Sequence, residues 1–492
     1  MFNLALFKTN KLPLLFTLIS VVLYVVFAYN LARTDYIKLI SIYVTLFFLF
    51  YKLVESNKDN TRFLTALAFV FRAIFILAIP NLSQDFYRFI WDGRMVLEGF
   101  NPYLHTPQSF ISNGELPIAQ AQELYIGMRE LNASHYTNYP PVNQLCFIIA
   151  GLFAGKSIVG SAAVLRLLII AADFGTLYFG KKLLEKLKLP IHNIFWYILN
   201  PFIIIELTGN LHFEGVMIFF LVWSLYLLHS NKWKLAAVIF ALSIATKLVP
   251  LMFLPLFFWW FLTKKKNNVI ESKMKQSVSI NEIATSQTPR NDTMEVSAKV
   301  HIEPSQKSGM IKLISFYLIV GITTLIIFAP FFSTQFIDNY SKTVGLWFGN
   351  FEFNASIYYV AREIGYLFRG WNEIAIIGKI LPILTVLYIL YLSYFKKNSN
   401  TKQLITVMLF AFTFYLFTST TVHPWYIATI LSLSVFTTYK FPLVWSFIII
   451  ISYLAYANTD HTENLWIIGF EYLVVYGFFI WEVFIKQKRL SH

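Results

Sequence analysis

Several short strings along this chain bring carboxylates, cations and amides together at spacings that suit acid-base and anion chemistry. The densest is Ser83-Gln84-Asp85-Phe86-Tyr87-Arg88-Phe89-Ile90-Trp91-Asp92-Gly93-Arg94. Read as a helix, it places Asp85, Arg88 and Asp92 at i, i+3 and i+7 on one face, with Trp91 beside them. A carboxylate against a low-dielectric wall can accept a proton as a general base, and Arg88 or Arg94 can bind a phosphate. The same spacing also describes a helix that is merely salt-bridged. Gly99-Phe100-Asn101-Pro102-Tyr103, a turn signal, would fold the chain back over the cluster.

Four further strings add polar groups. In Glu206-Leu207-Thr208-Gly209-Asn210-Leu211-His212-Phe213-Glu214, the side chains of Glu206, Asn210, His212 and Glu214 offer the mixed donors and acceptors that sugar hydroxyls need, and they also suit interhelical pairing. An i, i+2 His-Glu pair without a second His is a poor metal site, so no metal is expected, although a divalent cation is left open. Lys247, alone between long apolar runs and three residues before Pro250, either snorkels or meets an anion at a helix end. His423, in Val422-His423-Pro424-Trp425-Tyr426, can donate to a phosphate. Asn354 and Tyr358 supply polar groups in a stretch that also holds Trp347, Asn350 and Glu352. Asn138-Tyr139-Pro140-Pro141 reads equally well as a device for starting a helix or as a substrate contact.

The elements that must position these groups are membrane helices. Of 492 residues, 57% are hydrophobic and only 13% charged, against about 25% charged in a soluble domain. Mean hydropathy is +0.59. The apolar runs are continuous and do not alternate, which excludes a β-barrel. The single Cys146 excludes an intramolecular disulfide, a thiolate zinc site and an iron-sulfur cluster. The expected fold is an all-α polytopic membrane protein of about 12–14 spans with two sizeable extracytoplasmic loops. Hydropathy places spans near 12–30, 36–53, 62–80, 157–180, 190–209, 213–230, 233–247, 249–263, 310–331, 373–395, 401–418, 422–439, 441–457 and 464–486. The stretch 142–154 is too short to span and is read as a re-entrant or interfacial helix. The first apolar run lacks a small-residue cleavage site and reads as a retained anchor.

Sidedness follows from the basic residues. With the N-terminus inside, 27 of the 40 Lys and Arg fall on the cytoplasmic side, as the positive-inside rule requires. The net charge of +14 is thereby a property of inner loops, and nucleic-acid binding is not expected. The organisation is then: 1–80, N-terminal spans; 81–156, an extracytoplasmic catalytic loop with the short helix; 157–263, spans; 264–309, a disordered and dispensable cytoplasmic loop rich in Ser, Thr, Lys, Asn and Gln; 310–331, a span; 332–372, an outer loop; 373–492, C-terminal spans. Every polar string above lands on the outer side.

In order, SQDFYRFIWDGRMVLEGFNPYLHTP, NYPP, ELTGNLHFEG, ALSIATKLVPLMFLP, FEFNASIYY and VHPWY resemble the GT-C superfamily of integral membrane glycosyltransferases. Within it they are most similar to the bacterial polyprenol-phosphate-mannose-dependent mannosyltransferases. The resemblance covers roughly Phe63 to Tyr426 and rests on the ordered set more than on any one string. It implies a GT-C-like fold and inverting transfer of a hexose, mannose by resemblance, from a polyprenyl-phosphate sugar to an extracytoplasmic glycan or lipid-linked acceptor, in a bacterial inner membrane. The position matching the family's base is Asp85. Arg88, Arg94, Lys247 and His423 are then the groups for the donor phosphate, and Trp91, Asp92, Glu206, Asn210, His212, Glu214, Asn354 and Tyr358 those for substrate. No cofactor is implied, and membrane lipids are partners as well. The chain departs from the family in having Gln84 where a second acid is common, and in a catalytic loop that follows the third span and not the first, which implies two extra N-terminal helices. Two rival classes are a flippase or transporter of lipid-linked saccharides and an O-antigen polymerase or ligase acting on a pyrophosphate lipid. The intramembrane Arg166 and Asp173, seven residues apart, read as a structural pair.

Overall fold

The computed structural model describes residues 11–263, 303–349, 351–457 and 462–486. The described residues are almost wholly helical, with a single isolated bridge between Phe353 and Thr421. Seven of their helices are long and apolar enough to cross a membrane, or eight if the bent pair Ile191–Ile198 and Pro201–Gly209 is one span. The protein is therefore a multi-pass, all-α membrane protein. Four more expected spans fall on shorter apolar helices: Glu214–His229, Trp233–Thr246, Val249–Thr263 and Phe441–Tyr456.

Where the helices break, the cause is legible. The bent pair turns through 49° at Asn200-Pro201. Proline forces extended backbone on the residue before it, and Asn200 (ψ 125°) restarts the helix by accepting from Phe202 N at 2.9 Å. The expected span 62–80 is a helix only over Thr61–Ala73, and 422–439 is a short turn at Pro424–Tyr426 followed by Ile427–Ser434. At its other end the helix expected from 310 already begins at Glu303, so residues 303–309 belong to it. The rest of the expected inner loop, 264–302, lies outside the described residues.

Two charged groups buried in the bundle do not pair as the sequence suggests. Arg166 does not meet Asp173. Asp173 accepts from Arg72 Nε at 2.6 Å, while Arg166 donates to the carbonyls of Thr208, Gly209 and Ile76 at 2.8–2.9 Å. The Thr208 and Gly209 carbonyls need a donor because they end the π-helix Ile204–Gly209, and the last carbonyls of a helix have no partner within it.

Asp85–Leu97 and Pro141–Ala154 pack against each other unusually closely. A Cβ on Gly93 would stand 2.3 Å from the carbonyl oxygen of Phe147, so only glycine permits the approach. This contact sets the height of Asp85 against the segment Asn132–Tyr139 that precedes the second helix.

Candidate active site

A cavity of about 570 Å³ opens at the end of the bundle where Asp85 begins its helix. It gathers segments far apart in sequence: Ser83 to Arg88, the Asn132–Pro140 approach to the short helix, Glu214, Lys247, Glu352-Phe353 and His423 to Tyr426. Its walls are tied together. The hydroxyl of Tyr103 donates to the carbonyl of Tyr139 at 2.6 Å, and that of Tyr340 to the carbonyl of Asn138 at 3.1 Å. Phe353 exchanges backbone hydrogen bonds with Thr420 and Val422 at 3.1 and 2.8 Å, which fastens the second loop to the strand-like segment before His423.

Asp85 lies partly buried on the cavity wall and accepts from Asn132 Nδ2 at 3.1 Å. Burial pushes its carboxyl above the usual carboxylate range. Hydrogen bonds from Asn132 and Tyr139 and the charges of Lys247 and Arg33 pull it back in part. Lys247 follows the last residue of Trp233–Thr246 in extended conformation and reaches the cavity as a helix-end side chain. The short helix holds this point, since Asn143 Nδ2 donates to Thr246 O at 2.8 Å. Lys247 Nζ is not idle there: Glu214 Oε1 is 3.0 Å away, and the Tyr139 ring lies 5.5 Å below it. His423 lines the cavity with its Nδ1 buried and unpartnered. The Trp425 indole is stacked on two imidazoles, His212 at 3.8 Å and His423 at 4.5 Å, so its stacking capacity is already used.

The other candidates stand around this cavity. Arg88 touches it, but its Nε is bound to Asp92 Oδ1 at 2.7 Å and its Nη1 to the carbonyls of Asn132 and His135. Arg88 thus holds the loop that carries Asn132. Asp92 is fully buried and also accepts from Gln144 at 3.2 Å. Trp91 is in the core. Arg94 donates to Ala119 O and Gln120 Oε1 at 2.7 and 3.1 Å. Glu206 is buried and accepts from the Tyr453 hydroxyl at 2.9 Å, with His212 Nε2 3.7 Å from its other oxygen. Asn210 accepts from Leu82 N at 3.1 Å. Asn354, at φ 48°, bonds to Glu471 at 3.2 Å and to Glu463 through its backbone. Tyr358 donates to Glu352 at 2.7 Å. Of the twelve side chains expected beside Asp85, the cavity thus directly meets Arg88, Lys247, His423 and Glu214.

Sequence reading missed Arg33, Asn132, His135, Tyr340 and Tyr456, all on the cavity wall. Arg33 left a signal. It is an arginine in a short loop assigned to the outer side, against the positive-inside tendency. The others are ordinary loop or aromatic residues that only the fold brings inward. Among the described residues no group of three His, Cys, Asp or Glu side chains is arranged to hold a metal ion.

Comparison with known proteins adds two matches. Residues 26–263 match the MptA_B family, described as Alpha-(1->6)-mannopyranosyltransferase, N-terminal domain. Over 206 residues the chain is 21% identical to Alpha-(1->6)-mannopyranosyltransferase A of Mycobacterium tuberculosis, covering 42% of this chain and 38% of that protein. The matched stretch thus spans well under half of that relative's length. The family match takes in Arg33 to Lys247, the part of the chain that supplies Asp85 and half of the residues lining the cavity, and over that part the chain is similar to alpha-mannosyltransferases.

Proposed function

We propose that the chain is an inverting glycosyltransferase that moves mannose from a polyprenyl-phosphate sugar to a glycan or lipid-linked acceptor, at the extracytoplasmic face of a bacterial inner membrane. The observation that supports this most is the composition of the cavity. One carboxylate with weakened acidity, Asp85, shares it with Lys247 and His423, and the amide and phenol groups of Asn132, Tyr139 and Tyr340 ring the space. Its volume falls within the range of small-molecule sites, about 300–1,000 Å³.

In the reaction the acceptor hydroxyl oxygen bonds to the anomeric carbon as the bond from that carbon to the donor phosphate oxygen breaks. The electron pair leaves with the polyprenyl phosphate, and the hydroxyl proton passes to Asp85. Lys247 meets the charge growing on the phosphate and trades its contact with Glu214 for a phosphate oxygen. His423 donates to the same group. A donor already carried by lipid needs no nucleotide in the cavity, and the distribution of Lys and Arg supports an outer position for this end.

The test is incubation of the purified protein, with acceptor, with a panel of polyprenyl-phosphate and polyprenyl-pyrophosphate sugars, following release of the lipid phosphate. Release from the mannosyl phosphate lipid is expected. Release only from a pyrophosphate lipid would favour the polymerase or ligase class. Intact lipids moved across a vesicle bilayer without cleavage would favour a flippase.

A further inference from the structure

We propose that Arg33, delivered by the reversal between the first two helices, binds the phosphate of the lipid donor opposite Lys247. This inference rests on the donor reading above and adds to it a residue from a part of the chain that carries none of the motif strings.

The cations first considered for a phosphate are engaged. Arg88 holds Asp92 and two carbonyls, Arg94 is tied to Ala119 and Gln120, and Lys247 already has Glu214 at 3.0 Å. Arg33 is placed differently. It lines the cavity, and no ion pair joins it to a carboxylate among the described residues. Its Nη1 donates to Gln84 Oε1 at 3.2 Å, while its Nε is buried with no hydrogen-bond partner. The guanidinium carbon lies 3.2 Å from the centre of the Tyr456 ring. Stacking holds the plane of the fork still while leaving its N–H groups at the edge to bond, which is the arrangement that recognises a phosphate with two oxygens at once. Buried guanidinium nitrogens without a partner also occur on Arg88 and Arg94, but Arg94 does not line the cavity and Arg88 is held by Asp92. On Arg33 the unpartnered donor belongs to a cavity-lining arginine that an anion there would satisfy.

Position supports the same assignment. The first two helices, Lys11–Asn30 and Tyr36–Ser56, are joined by residues 31–35, and Asn81, just ahead of the Asp85 helix, donates to Phe27 O and Leu31 O at 2.7 and 3.3 Å. The hairpin is thus locked to the segment that carries the base. Gln84, which stands where a second acid would sit, is the residue that orients Arg33. A carboxylate there would pair with the guanidinium and neutralise it. The glutamine leaves the charge available.

Binding to wild type, Arg33→Gln and Arg33→Lys, each checked for an unchanged melting temperature, is measured with a polyprenyl phosphate, the matching polyprenol and inorganic phosphate. We expect wild type to prefer polyprenyl phosphate over polyprenol. Arg33→Gln should lose on the order of tenfold in polyprenyl phosphate affinity, as for one charge-assisted contact, with polyprenol unchanged and Arg33→Lys recovering part. Inorganic phosphate that competes in wild type and weakens in Arg33→Gln assigns the anion alone to Arg33. Inorganic phosphate that fails to compete assigns a phosphate presented on its lipid. If Arg33→Gln keeps the wild-type preference for the phosphate lipid, Arg33 has no such role. If wild type shows no preference at all, the donor reading falls, and this assignment with it.

Discussion

Asp85 and Asp92 lie on one helix and in different worlds. Asp85 opens on the cavity and makes one amide contact, whereas Asp92 is fully buried beneath Arg88. Asp85→Asn keeps shape and removes basicity, so turnover should fall about 10²–10⁴-fold with donor binding nearly intact. Asp92→Asn leaves the buried Arg88 uncompensated, a change worth about 3–5 kcal/mol when one partner of such a pair is removed. It should show first as a lowered melting temperature. Turnover also carries a pH signature. Burial raises the Asp85 carboxyl, and only its deprotonated form is a base, so kcat/KM should decline, as pH falls, sooner than an ordinary aspartate at about 3.9 would allow. Asn132→Ala removes a contact that favours the charged form and should move that decline to still higher pH. A pH profile unmoved by Asn132→Ala would separate Asp85 from the titrating group. At this scale the sequence told which residue types cluster and not which partners they choose. Asp85, Arg88 and Asp92 share a helix as expected, but the ion pair is the i, i+4 one. Asp173 turned to Arg72, 101 residues away, a distance no spacing rule spans.

Elements were easier to read than their breaks. Apolar length alone located the long helices, because hydrocarbon imposes it, and the stretch 142–154 forms the 14-residue helix Pro141–Ala154. What hydropathy could not supply was the ending of Thr61–Ala73 or the π-turn at Ile204–Gly209, since both are set by which backbone groups find donors elsewhere. The packing of Asp85–Leu97 on Pro141–Ala154 gives a test at the same scale. In an ordinary helix Gly→Ala is favourable by up to about 1 kcal/mol. At Gly93 the new Cβ would meet a carbonyl oxygen at 2.3 Å, and overpacking of about 1–3 kcal/mol wins. Gly93→Ala should therefore lower thermal stability and, by lifting Asp85 away from Asn132, turnover as well. Gly477→Ala, at a helical position with nothing within 4 Å, should stay within about 0.5 kcal/mol of wild type. Equal melting temperatures for the two variants would show that the helices can part without cost.

Across the whole molecule, one charge count put every polar string on the same side of the bundle, and Asp85, Glu214, Lys247 and His423, from four of those strings, line one cavity. Its depth was not legible in the sequence, because the wall is completed by residues such as Arg33, Tyr340 and Tyr456 that belong to no motif. The buried charges outside the cavity lining have a different bearing. Arg166 and Asp173 both sit in Ile158–Lys186, and an uncompensated charge at a helix centre costs roughly 2.5–3.5 kcal/mol on an insertion scale. Asp173→Asn should destabilise the protein by stranding Arg72, and the double change Arg72→Met with Asp173→Leu should recover much of the loss, as measured by thermal inactivation in detergent. The same arrangement bears on biogenesis. One partner of this helix, Arg72, leaves the ribosome well before it, and the other, the Thr208-Gly209 turn, well after. The nascent chain accordingly cannot commit its helices to the lipid one at a time. The segment carrying Arg72 must linger beside the insertion machinery until its acid arrives, and the helix that brings that acid must in turn wait for the turn that caps its own arginine.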